Sequence, residues 1–131
     1  MPPLARTAWT PFWRTNILLE TDLVALVREA AEDKKAEDVA VLDLTGRTIV
    51  ADAFVVMTGR SVIQTRSIAD AIVERAEGAG VRPRLEGTAD GGWILIDLGH
   101  VVVHVFTPDQ RQFYNLERLW GRVAEVRAEA Q

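Results

Sequence analysis

Apolar positions recur along the chain with two periods, and the switch between them marks the elements. Leu19, Leu23, Leu26, Val27, Ala30 and Ala31 fall three and four residues apart, which predicts one buried helix face. Thr21 is placed to cap that helix, Asp22 suits its positive end, and Lys34 and Lys35 suit its negative end. Val39–Leu44 and Ala53–Thr58 are short continuous apolar runs closed by Thr45-Gly46 and Gly59. Runs of that length without alternation predict strands covered on both faces. Ser61 with Gln64 three residues later is a capping-box pattern, so a helix starts there. Ile68, Ile72 and Ala76 mark its buried stripe; Gly80 ends it in the left-handed conformation and Pro83 prevents its resumption.

The second half changes period again. Arg84–Glu86 predicts a short strand, and Asp90-Gly91-Gly92 a turn. Trp93–Asp97 and Val101–Phe106 predict a hairpin joined by Leu98-Gly99-His100. Thr107-Pro108-Asp109-Gln110 offers a cap, a first-turn proline and a capping-box glutamine, so another helix begins. Asn115 is placed to cap a last short helix over 116–120. The order helix, strand, strand, helix, strand, strand, strand, helix predicts an α/β fold, a single domain with a mixed β-sheet flanked by helices. Residues 1–19 carry Pro2, Pro3 and Pro11 without a period and read as an N-terminal arm; its Trp9, Phe12 and Trp13 favour docking on an apolar surface. The domain is expected over 20–121, with 122–131 as a C-terminal tail.

Composition narrows the functions this fold can serve. The 131 residues are 48% hydrophobic and 26% charged, which fits one globular core. Cysteine is absent, so disulfides, thiolate zinc sites and cysteine nucleophiles are excluded, and a reducing, cytoplasmic setting is expected. A net charge of −4 argues against general or sequence-specific nucleic-acid binding, which needs clustered cations, and favours a basic protein partner. No stretch approaches the roughly 18 apolar residues of a membrane span, and no secretory signal opens the chain.

Candidate chemistry is sparse. Gly59-Arg60-Ser61 lies where a strand meets a helix, a corner at which backbone N–H groups can receive a phosphate. A nucleotidyltransferase built on that corner needs carboxylates on adjacent strands to hold magnesium. The later strands offer Asp97 alone, and no Asp-x-Asp pair occurs. A nucleotide-binding or nucleotidyltransferase-like α/β enzyme is therefore the second reading, and a glycine stop with a serine cap the simpler one. His104, flanked by valines, is expected to be buried and hydrogen-bonded to a neighbour; His100 at a hairpin tip is expected to be exposed. Two histidines at this spacing make no metal site, and neither a cofactor nor catalysis is expected. Aromatic residues among acids suggest instead a docking patch. Its expected members are Trp93, Tyr114, Leu98 and His100, with Glu86, Asp90 and Asp97 around them. Trp93 is expected to stand at the sheet end on a flexible turn, with Ile94–Ile96 filling both sheet faces without it. Phe113 and Trp120 are expected to staple the last helix to the sheet.

Several segments, taken together, resemble the ribosomal silencing factors, also called Iojap-related proteins. They are Asp33–Val39, Val41–Leu44, Ala51–Gly59, Ser67–Asp70, Trp93–Gly99, Val101–Phe106 and Phe113–Trp120. The resemblance implies a protein that binds the large ribosomal subunit through its protein fourteen. Binding there blocks association with the small subunit and represses translation when nutrients are short. It also implies a nucleotidyltransferase-like core without catalytic carboxylates, and a capacity to form homodimers. The family's tryptophan at the start of the penultimate strand corresponds to Trp93, to which the resemblance assigns the partner contact. His100 stands where the family usually has Asp, and Asn115 where it has Asp or Glu. If the usual acid faces a basic partner, His100 removes one attraction.

Overall fold

The computed structural model describes residues 20–46 and 51–116. Three helices and five strands follow in the expected order. They are α1 (Glu20–Asp33), β1 (Glu37–Asp43), β2 (Ala53–Thr58), α2 (Val62–Gly78), β3 (Arg84–Gly87), β4 (Trp93–Asp97), β5 (Val101–Phe106) and α3 (Pro108–Tyr114). The arm of residues 1–19, the tail and the helix expected over 116–120 lie outside the described residues, save Leu116.

The sheet has the strand order β1-β2-β5-β4-β3. Only β2 and β5 run parallel; the other neighbours are antiparallel. The central strands β2 and β5 are buried at every position. Of the two runs expected to be covered on both faces, Ala53–Thr58 is this β2, whereas Val39–Leu44 supplies most of β1, an edge strand buried only over its Ala40, Val41 and Leu42. Helices α1 and α2 cover one face. Val55 and Met57 of β2 and Val101, Val103 and Val105 of β5 meet Val27, Ile68 and Ile72 there. Small residues at Ala30, Ala31, Ala69 and Ala76 sit in the same core. The opposite face carries a second cluster: Leu42, Leu44, Phe54, Val56, Val102 and Phe106, with Trp93, Leu95 and Leu116 against it.

The helix ends show local chemistry deciding local structure. Ser61 Oγ accepts from Gln64 N at 3.2 Å, the expected cap. Gln64 does not complete the box on Ser61; its Oε1 accepts from Arg60 N at 2.7 Å instead. Its Nε2 donates to the Lys34 and Lys35 carbonyls at 3.0 and 3.1 Å, tying the end of α1 to the start of α2. Gly80, at φ +86°, closes α2 with Gly80 N to Glu77 O and Val81 N to Ala76 O, a Schellman pair. At α3 the expected box is absent, because Thr107 N already donates to Gly92 O and Thr107 makes no side-chain cap bond. Asn115 itself ends α3 at φ +46°, a conformation asparagine tolerates. Leu116, directly after Asn115, is helical, and the remainder of the helix expected there lies outside the described residues.

The same closing pair ends α1, with Lys35 N to Glu32 O and Ala36 N to Ala31 O. The left-handed position there is held by Lys35 at φ +61°, not by glycine. A side chain strains that backbone, whereas the bonds made at Lys35 are backbone bonds that glycine keeps. Lys35→Gly should therefore raise stability by about 0.5–1 kcal/mol, visible as a melting temperature several degrees higher. An unchanged or lower melting temperature would show that the turn is not strained.

Candidate functional site

Period-two alternation along β4 places Trp93, Leu95 and Asp97 on one face, and Ile94 and Ile96 on the helix-covered face. Trp93 therefore belongs to the second face of the sheet, not to a free end. Its ring stacks on Phe106 at 5.3 Å and lies 4.4 Å from the Tyr114 ring. Its indole Nε1–H donates to His104 Nδ1 at 3.2 Å. The indole carries a donor that needs a partner once half-buried, and β5 supplies one two positions along the ladder. His104 is 4% exposed and, as expected, bonded to a neighbour. Burial pushes its pKa down from 6.5 to about 4, so it is neutral near pH 7.

The turn before Trp93 is not flexible either. Gly91 O accepts from the buried Thr65 hydroxyl at 2.8 Å. Asp90 Oδ1 accepts from Gly92 N at 2.8 Å and from the Thr88 hydroxyl at 2.7 Å. These two bonds, the Gly92 one first, hold the Asp90 carboxyl below its ordinary range. Trp93 N donates to Thr88 Oγ1, and Thr88 N to Trp93 O. A buried carbonyl bonded to Thr65, and a carboxylate that accepts one N–H and one O–H, fix this turn against α2.

The expected patch divides in two. Trp93 and Asp97 are four residues apart on an extended strand, about 13 Å. At the Trp93 end lie Tyr114, 38% exposed, and Asp90, also exposed. At the far end lie Asp97, whose Oδ1 accepts from Gly99 N at 2.8 Å, and the exposed His100. His100 Nδ1 lies 3.0 Å from the Asp52 carboxylate, so the tip imidazole faces an acid of its own chain. Leu98 is 5% exposed and packs in the helix-side core, so it offers almost no contact surface. Glu86 is exposed on β3, opposite Leu95.

Phe113 was expected to staple a helix, yet it is 77% exposed, and its ring meets Tyr114 edge-on at 5.0 Å. With α3 only two turns long and anchored through Tyr114, Phe113 faces solvent. Trp93, Tyr114 and Phe113 thus form an aromatic ridge running from half-buried to exposed. The sequence marked each ring but not their order, because α3 and β4 meet only in three dimensions.

The Gly59-Arg60-Ser61 corner is filled by its own chain. A Cβ at Gly59 would lie 2.9 Å from Thr65 N and Cγ2, so glycine is required by close approach of α2. Gly59 N donates to Phe106 O, Ser61 Oγ caps α2, and Arg60 Nε bonds Glu37 at 2.6 Å. Among the described residues no three acidic or histidine side chains gather where a metal could sit. No described helix is long and apolar enough to cross a membrane.

Comparison with known proteins points one way. The family described as "Ribosomal silencing factor during starvation" matches residues 19–131. A ribosomal silencing factor from Bacillus subtilis is 42% identical over 103 residues, covering 78% of this chain and 87% of that one. One from Halalkalibacterium halodurans is 44% identical over 109 residues, covering 82% and 93%. Among solved structures, a Chromobacterium violaceum protein superposes with a TM-score of 0.77 at 36% identity, over 79% of this chain and 88% of that one.

Proposed function

The chain belongs to the ribosomal silencing factor family, and from that premise we propose that it docks on the large ribosomal subunit through protein fourteen. There it blocks association with the small subunit and so represses translation in the cytoplasm when nutrients are limiting. It acts by occupying a surface, without a cofactor and without catalysing a reaction. A homodimer is the second assembly the family resemblance implies, and it belongs to this proposal.

The observation that carries the docking surface is the ridge of Trp93, Tyr114 and Phe113. Soluble proteins seldom expose large rings together without a partner, and rings with an apolar body and a polar handle are favoured anchors. The net charge of −4 adds long-range attraction to a basic partner. Leu98 drops out as a contact because it is core, while His100 and Asp97 are at most a second, separate contact. Nothing at the Gly59 corner favours nucleotide chemistry over its structural use.

Purified large and small subunits mixed with excess protein should stay apart on a sucrose gradient, with the protein co-sedimenting on the large subunit alone. Raising salt should release it, as charges are screened beyond about 8 Å at physiological strength. Full ribosomes forming equally well in its presence would refute the blocking mechanism.

A further inference from the structure

We propose that His104 is the positioning residue of the docking surface: its unprotonated Nδ1 accepts the Trp93 indole N–H and fixes the ring in the orientation presented to the partner. The proposal rests on the reading that Trp93 meets the large subunit. It concerns what holds that side chain in place.

Two independent observations lead to it. The first is the bond itself, Nε1 to Nδ1 at 3.2 Å, between the middle of β5 and the start of β4. Stacking on Phe106 and the tilted contact with Tyr114 hold the plane of the indole but leave it free to slide or turn over, because ring contacts are weakly directional. A hydrogen bond at one ring edge removes that freedom. The second is the imidazole's other nitrogen. An indole N–H is a donor only, so Nδ1 must be the acceptor and the proton sits on Nε2. Nε2 is buried and has no hydrogen-bond partner among the described residues. A buried donor without a partner destabilises the fold. Around it stand apolar groups: the Phe54 ring meets the imidazole edge-on at 4.6 Å, and Leu95 and Val56 lie directly opposite on the neighbouring strands. An aliphatic side chain would fill this place without the unpaired Nε2. What the imidazole alone supplies is the acceptor for Trp93.

Along the chain His104 and Trp93 are unconnected, one placed as a core residue and the other as an anchor. The sheet register joins them, since His104 faces Leu95 and Trp93 is the next residue of β4 on that face.

The test compares His104→Leu, which fills the space without an acceptor, with His104→Asn, whose amide oxygen lies near the place of Nδ1. Three quantities are read on the full chain: melting temperature, the exchange rate and nitrogen-15 shift of the Trp93 indole N–H, and affinity for large subunits. For His104→Leu we expect a melting temperature at or above the parent, a shifted and faster-exchanging indole N–H, and affinity lower by about tenfold, the worth of one buried hydrogen bond. His104→Asn should recover part of both the exchange protection and the affinity. Trp93→Phe, which keeps stacking and removes the N–H, should lose a similar amount, and the two losses should not add in His104→Leu/Trp93→Phe. Parent-like affinity in His104→Leu, or additive losses, would overturn the proposal. Should His104→Leu fail to fold, the exchange rate and affinity of Trp93→Phe and His104→Asn still decide it. If the parent itself does not bind large subunits, the docking reading fails, whereas an unchanged indole signal in His104→Asn and His104→Leu would refute the positioning role alone.

Discussion

Trp93→Ala should both destabilise the protein and abolish tight docking. The ring fills a half-buried place between Phe106 and Tyr114, so truncation opens a cavity on the second face of the sheet. It also removes the only partner of His104 Nδ1 among the described residues, leaving both imidazole nitrogens buried and unpaired. Full burial of such a ring makes its removal worth about 3–5 kcal/mol, and partial exposure places this site near or below the lower end of that range. The melting temperature should fall by roughly ten degrees or more in a domain of this size. Read from sequence, Trp93 was expected to leave stability nearly untouched, because a turn of Asp90-Gly91-Gly92 suggested a freely standing ring. The turn is bonded to Thr65 and the ring is stacked, so that expectation does not survive. Measured well below its melting point, the variant should bind large subunits at least about 30-fold more weakly, the scale of a central anchor. A lowered melting temperature with parent affinity would make Trp93 a core residue only and move the docking surface elsewhere.

Acid should unfold the protein partly through His104. The folded protein holds this imidazole neutral down to about pH 4, whereas in the unfolded chain it takes up a proton near 6.5. Below 6.5 the unfolded state therefore binds more protons than the folded state, and stability falls as pH falls. The loss accumulates between about 6.5 and 4 and then levels off, amounting to about 3 kcal/mol. Chemical denaturation of the parent and of His104→Leu at several pH values isolates this part, since every other acid is common to both. The parent should lose stability more steeply across that window. Parallel curves would mean that the imidazole is charged, or solvated, in the folded protein. Protonation also converts Nδ1 into a donor, so the Trp93 bond breaks in the same step.

His104 itself shows how far the sequence reaches. Valines on both sides were enough to predict burial and a hydrogen-bonded neighbour. They could not say which neighbour, because the partner lies eleven residues away across a hairpin whose register is set by the whole sheet. The patch shows the opposite error. Trp93, Asp97 and His100 are close in sequence, yet an extended strand turns closeness along the chain into distance in space. Leu98 looked like part of an exposed tip, but Leu98 N bonds Val101 O and its side chain turns into the core.

The sequence by itself determined the element order, the fully buried strand Ala53–Thr58, the Ser61 cap, the Gly80 stop and the family. These rest on short-range rules: periodicity, capping and backbone freedom act within a few residues, and the resemblance rests on the order and spacing of local segments. Only the tertiary structure decided which rings touch, where Gln64 and Thr107 find their partners, and that a histidine holds the tryptophan. Those outcomes depend on strand register and on how α3 meets β4, long-range packing for which many local sequences would serve equally well. Trp93 stands on the boundary between the two: its chemistry is legible in the chain, and its place is set by residues from β5 and α3 that the fold brings to it.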